Sequence, residues 1–195
     1  MRLLFLKLFV LFFFSLRSQN FEIKLLSEIH RDSSVFKDKL CLFTSRTVAP
    51  FGISFCIGLT AGSYINNDKS MLRNGFRSSV SYSLANASSF ALKNLVQRAR
   101  PFNKYPSLFR NKSEAGNLSF PSGHTTAAFS TATALALTYR KWEIVLPAYL
   151  WASGVAFSRM YLGVHYPSDV MGGILIGVGS GLLTWKLDQL LFEKK

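Results

Sequence analysis

The sequence predicts an all-α protein, a helical bundle that crosses a membrane, and three observations carry that expectation. Apolar residues make up 49% of the 195, 18 of them Phe. Five apolar segments, at 48–65, 76–95, 125–139, 142–157 and 170–185, each read as a helix of roughly 15–20 residues. Basic residues then fall in alternate connections: Lys69 and Arg73, with Arg77 at the head of the second segment, around the first connection, Arg140 and Lys141 between the third and fourth, and Lys186, Lys194 and Lys195 after the last. Placing these on the cytoplasmic side, together with Arg2 and Lys7, obeys the positive-inside tendency. The expected architecture is a polytopic bundle of five to six spans. The segments are short and rich in Ser and Thr for spans, so a soluble helical bundle remains the alternative.

At the N-terminus, Arg2 and Lys7 precede an apolar stretch at 8–16. That is the pattern of a signal peptide or a first membrane span, assigned to residues 1–18. Residues 19–47 are charged and mixed, with apolar positions at Phe21, Leu25, Leu26 and Ile29. This spacing predicts an amphipathic helix on the extracytoplasmic membrane surface, although a surface helix of a soluble bundle would look the same. Arg17, Lys24, Arg31, Lys37, Lys39 and Arg46 make the charge asymmetry imperfect, because they fall on that opposite side. Residues 48–195 form the main helical domain. In the last helix Gly173, Gly177 and Gly181 recur every four residues and lay bare backbone along one face, where a neighbouring helix can approach closely.

The formal charge of +13 fits a nucleic-acid partner poorly beside so much apolar sequence. No zinc spacing, helix-turn-helix pattern or basic helix with interleaved aromatics accompanies it, so anionic lipid is the expected partner and nucleic acid is not. Cys41 and Cys56 form no C-x-x-C pair and say little about redox compartment.

Three polar motifs interrupt the apolar frame. KNLVQRARP places Lys93 and Arg100 seven residues apart, two helical turns, so both cations are expected on one helix face before Pro101 interrupts it. Such a pair suits an anion, or snorkels to headgroups. PSGH opens the next helix: Ser122 is expected at its N-cap, Gly123 admits close backbone approach, and the free N–H groups there suit an anion. His124, one step away, is a capping or packing residue or, beside an anion, a proton donor. SRMYLGVHYPSDV carries Ser158 and Arg159, then His165 and Asp169 four apart, with Pro167 at a helix entry. That spacing lets the carboxylate hold one ring nitrogen and leave the other free to attack. His30 lies outside these motifs and is assigned no role. Under the topology above, all three motifs share one side and can meet in one pocket.

The order of these motifs resembles the three-part signature of the type 2 phosphatidic acid phosphatase superfamily, the lipid phosphate phosphatases, which includes bacterial acid phosphatases and vanadium haloperoxidases. Its defining positions are filled by Lys93, Arg100, Pro101, Pro121, Ser122, Gly123, His124, Ser158, Arg159, His165 and Asp169. The resemblance implies that His165 is the nucleophile forming a phosphohistidine, that Asp169 orients it, and that His124 protonates the leaving alkoxide and later activates water. It implies that Lys93, Arg100, Arg159, Ser122 and the Gly123 N–H hold the phosphoryl oxygens. No metal and no cofactor are implied, and the chain lacks the clustered carboxylates of a magnesium site. The expected substrate is a lipid phosphate or diphosphate, cleaved by a bacterial inner-membrane enzyme whose site faces the periplasm. Two alternatives stay open, a secreted non-specific acid phosphatase with the same site and a non-enzymatic membrane binding protein.

Overall fold

The computed structural model describes residues 16–31 and 34–192. Among the described residues the chain is all-helical: α1 (Leu16–Arg31), α2 (Val35–Arg46), α3 (Val48–Asn66), α4 (Lys69–Val96), the short α5 (Pro101–Lys104), α6 (Gly123–Tyr139), α7 (Trp142–Tyr161) and α8 (Pro167–Phe192). All five apolar segments read from the sequence form helices. Three turns reverse the chain through a left-handed residue, Asn67 at φ 50°, Gln97 at φ 50° and Arg140 at φ 53°, whose N–H groups close the ends of α3, α4 and α6.

Helix α6 is the centre, packed by α3, α4, α7 and α8. Its inner residues are small: Ala127, Ala128 and Ala132 join Val155, Ala152 and Val170 in the main apolar core. The closest approach is made by α8, as the glycine spacing predicts. A Cβ at Gly173 would stand 2.8 Å from the Ser122 carbonyl oxygen, and one at Gly177 would collide with that of Thr126. Hydroxyl groups line the same interior, among them Ser81 and Ser130, 2.9 Å apart. Large apolar side chains cover the outside instead, including Ile57, Phe76, Phe90, Leu150, Met171 and Leu182. Two stretches, Val35–Asn66 and Pro167–Phe192, are both long and apolar enough to cross a membrane.

The N-terminal expectations are changed in part. The signal or first span assigned to 1–18 lies outside the described residues up to 15, and 16–18 already belong to α1. The amphipathic stretch at 19–47 falls in two helices, α1 and α2, the second capped by Ser34, whose hydroxyl accepts from the Lys37 N–H. Phe21 is exposed; the side of α1 that packs inward carries Glu22, Leu26 and His30. His30 has a structural place there. Its Nδ1–H donates to the Tyr161 carbonyl (2.9 Å) and its Nε2 accepts from the Arg110 N–H (3.1 Å), fastening α1 to the end of α7.

The order of the helices sorts the polar residues to two ends. The end of α4, the start of α6, the end of α7 and the start of α8 form one pole, with Lys93, His124, Arg159 and His165. The opposite pole holds Arg73, Arg77, Arg140, Trp185 and Asp188.

Candidate active site

The three sequence motifs meet at the first pole through direct contacts. Lys93 Nζ donates to the Pro121 carbonyl at 2.6 Å, and its stem passes Gly123. Ser122 N–H donates to the Asp169 carbonyl at 3.0 Å. Arg100 Nη1 reaches the Val164 carbonyl at 2.9 Å and His165 Nε2 at 3.1 Å. Each contact joins a different pair of motifs.

Arg100 arrives there by a route the helical spacing did not foresee. Helix α4 ends at Val96, and the left-handed Gln97 turns the chain out of it. Residues 98–100 run extended: Ser119 N–H donates to the Arg98 carbonyl at 2.7 Å, and Ala99 bridges to Leu118. Arg100 itself is extended (φ −72°, ψ 158°), as a residue before proline prefers. Lys93 and Arg100 therefore reach the site from a helix and a strap, not from one helix face.

Ser122 stands at the N-cap of α6, yet its side chain makes no cap bond. Its hydroxyl is fully buried and accepts from Thr125 Oγ1 at 2.9 Å, which takes it out of competition for the helix N–H groups. His124, in the first turn, is exposed and forms no hydrogen bond among the described residues. Gly123 lies between it and Lys93, with a notional Cβ 4.0 Å from Lys93 Cε.

Asp169 is completely buried and heavily engaged. One oxygen accepts from Arg98 Nη1 (2.7 Å), and the other from the Tyr166 N–H (2.8 Å) and the Ser119 hydroxyl. His165 Nδ1 lies 3.6 Å from that second oxygen, longer than the hydrogen bond the i,i+4 spacing suggested. The carboxylate is drawn away by its other donors. Because Arg100 donates to Nε2, the ring proton belongs on Nδ1, facing Asp169. Burial first, and then the charges of Arg100 and Arg159, push the His165 pKa down to about 3 against the opposing pull of Asp169. The ring is neutral in use, with its Nε2 lone pair directed at the cations.

Those cations lack carboxylate partners among the described residues. Arg159, 3% exposed, spends Nη1 on the Ser45 hydroxyl and Nη2 on that of Ser113 at 3.4 Å. Its Nε is buried with no hydrogen-bond partner, and the same holds for Arg100 Nε and His165 Nδ1. Burial holds the Arg100 pKa below its ordinary value, opposed by the charge of Asp169. Buried donors of this kind are costly to leave unmet, so the arrangement favours an arriving anion. No group of three His, Cys, Asp or Glu side chains gathers to ligate a metal among the described residues.

Two contributors went unnoticed in the sequence. Arg98, inside the KNLVQRARP motif, bridges Asp169 to Glu22 of α1. Glu22 is 6% exposed although α1 is remote in the chain. A charged residue on the inward side of an amphipathic helix was the available signal.

A ring nitrogen facing cations that have no carboxylate partner can receive an anion, and comparison with known proteins places the chain in a family. The family model of the PAP2 superfamily matches residues 75–193, and the chain belongs to that superfamily. A decaprenylphosphoryl-5-phosphoribose phosphatase of Mycobacterium tuberculosis is 40% identical over 100 residues, 51% of this chain and 53% of that protein. The undecaprenyl-diphosphatase BcrC of Bacillus subtilis is 36% identical over 77 residues, 40% of this chain and 39% of its own. The chain thus spans about half the length of the first of these relatives and less of the second. In fold it is similar to a transmembrane PAP2-type phosphatidylglycerolphosphate phosphatase from Bacillus subtilis, with a TM-score of 0.78 at 19% identity over 99% of this chain and 96% of that one.

Proposed function

We propose that the protein is a membrane phosphatase that hydrolyses a lipid phosphate or diphosphate monoester through a phosphohistidine on His165. The observation that carries this reading is the neutral His165 imidazole whose Nε2 faces Arg100, among buried guanidinium nitrogens with no partner. Phosphoryl oxygens would take the place now held by the Arg100 to Nε2 contact. Nε2 attacks phosphorus, forming a P–N bond as the P–O bond to the alcohol breaks. His124 gives the departing oxygen its proton, being exposed at the mouth, and then takes one from the water that cleaves the P–N bond and releases phosphate. Lys93, Arg100, Arg159, Ser122 and the Gly123 N–H neutralise the charge on the phosphoryl oxygens, the role that preorganised donors fill best. Asp169 offsets the positive charge that attack places on the ring.

The membrane setting is supported by the apolar exterior over a hydroxyl-lined interior, an inversion of the usual soluble pattern. We read residues 48–195 as the phosphatase domain of a bundle with five to six spans, with residues 19–47 packed on its extracytoplasmic end. The site then faces the periplasm of a bacterial inner membrane, because Arg73, Arg140 and Lys141 belong to the opposite pole. The relatives named above act on polyprenyl phosphates or diphosphates by their names, which favours a lipid over a soluble ester.

The test is phosphate release by detergent-solubilised protein from a panel of phosphatidic acid, phosphatidylglycerol phosphate, polyprenyl phosphates and water-soluble monoesters. Release from the lipids, unaffected by chelator and blocked by vanadate, is expected. Cleavage of the soluble esters alone would favour a non-specific acid phosphatase, and no release from any would favour a binding protein.

A further inference from the structure

The residues matched to the family begin at 75, yet a carboxylate from α1 reaches the catalytic pole. Glu22 divides its two oxygens between two tasks. Oε2 accepts from Arg98 Nη2 at 2.7 Å, while Arg98 Nη1 donates to Asp169 Oδ1 at 2.7 Å. Oε1 accepts from the Ser168 N–H at 2.8 Å and from the Ser168 hydroxyl. Ser168 lies in the first turn of α8, so Glu22 serves that helix as a cap supplied from another part of the chain, where a negative charge also suits the helix dipole. Arg98 is held from a third side by the Tyr166 ring, 4.0 Å from its guanidinium carbon.

Both oxygens therefore act on Asp169, one through the guanidinium that grips its carboxylate and one through the turn that carries its backbone. We infer that Glu22, acting through Arg98 and Ser168, is a positioning residue that sets the Asp169 carboxylate against His165 and makes α1 part of the catalytic apparatus. Burial works against the Arg98 charge, but the Asp169 and Glu22 carboxylates outweigh it and hold its pKa above the ordinary value. The guanidinium is thus a permanent tie between the two acids. Without Glu22 it keeps Asp169, the Ser168 hydroxyl and the Tyr166 ring but loses its second carboxylate, and the direction in which Asp169 faces His165 Nδ1, already 3.6 Å away, is held less firmly. Among the described residues no hydrogen bond or ion pair joins Glu22 to Lys93, Arg100 or Arg159, so its loss is expected to act on catalysis more than on phosphate binding.

The inference rests on the phosphatase reading of His165, and its test separates the two. Glu22→Gln keeps the shape but loses the charge, and is compared with His30→Ala, which loosens the same helix at its other fastening without touching Asp169. Each variant is assayed for kcat and KM on a lipid phosphate and for thermal stability. The chain's three histidines also allow the His165 imidazole to be followed by NMR in isotopically labelled protein. Glu22→Gln is expected to lower kcat about tenfold with KM nearly unchanged, as a misplaced catalytic group does, and to shift the His165 ring resonances. His30→Ala is expected to lower stability while leaving kcat and those resonances near wild type. Equal effects of the two variants on kcat and on the His165 signals would overturn the inference, because α1 would then act only as packing. If wild-type protein releases no phosphate while Glu22→Gln still moves the His165 resonances, the positioning stands and the phosphatase reading falls.

Discussion

The two poles of the molecule each hold a group of arginines, and they treat those charges in opposite ways. At the pole opposite the motifs, Arg73 Nε lies 2.9 Å from Asp188 Oδ2, and Arg77 bonds the same oxygen. Arg77 also lies over the Trp185 ring at 4.2 Å, with Arg140 5.6 Å from that ring. An internal carboxylate meets those cations. At the pole where the three motifs meet, the internal carboxylate, Asp169, is given to Arg98 instead, and Arg100 and Arg159 are left with carbonyl, hydroxyl and imidazole contacts. The two arginine clusters differ in which arginine receives the carboxylate, and under the proposed function that difference leaves Arg100 and Arg159 to meet an anion.

Replacing the groups on each side of that contrast gives graded outcomes. His165→Ala should lower turnover of every substrate by at least ~10³-fold, since no other group supplies the nucleophile. Arg159→Ala should cost about 10²-fold to 10³-fold in kcat/KM, the usual loss when a preorganised oxyanion donor is removed, and comparable binding of wild type and variant to vanadate would contradict it. His124→Ala should lose about 10²-fold on alkyl phosphates and much less on an activated aryl phosphate, whose leaving group needs little protonation. Equal losses on the two esters would remove His124 from the acid role. At the opposite pole, Asp188→Asn should change kcat/KM less than about threefold while lowering thermal stability, because it removes the carboxylate that both Arg73 and Arg77 bond. A large loss of activity with unchanged stability would erase the contrast between the poles.

The pH behaviour sharpens the same picture. With a folded pKa of about 3, below the 6.5 of a free histidine, His165 takes up its proton only in strong acid. NMR of the ring should show the neutral Nδ1–H form throughout pH 5 to 8. A midpoint near 6.5 would mean that the cations and burial do not act on it as described.

The sequence revealed the helices because each apolar run is bounded by a polar or basic break, and it brought out His124, Arg159, His165 and Asp169 as candidates because each motif sits beside such a break; the structure gathers those motifs at one pole. It misplaced Arg100. The helical pattern runs on through Gln97, which is neither Gly nor Pro, and nothing local signals its left-handed turn. Ser122 was legible as a cap position, but the Thr125 contact that occupies its hydroxyl was not. Glu22, His30 and Asp188 stayed hidden for a common reason. Their partners Arg98, Tyr161 and Arg77 stand 76, 131 and 111 residues away, separations at which only the packed bundle brings them together.

The central claim is that unmatched cations deliver phosphorus to the neutral Nε2 of His165, and trapping the covalent intermediate tests it most directly. Protein mixed with substrate labelled in the phosphoryl group and quenched within milliseconds should carry label in an acid-labile, base-stable bond, located on the peptide containing His165. His124→Ala should still trap label from an activated aryl phosphate, and His165→Ala should trap none. Label found on His165→Ala protein but absent from His124→Ala would contradict the account and exchange the roles of the two histidines.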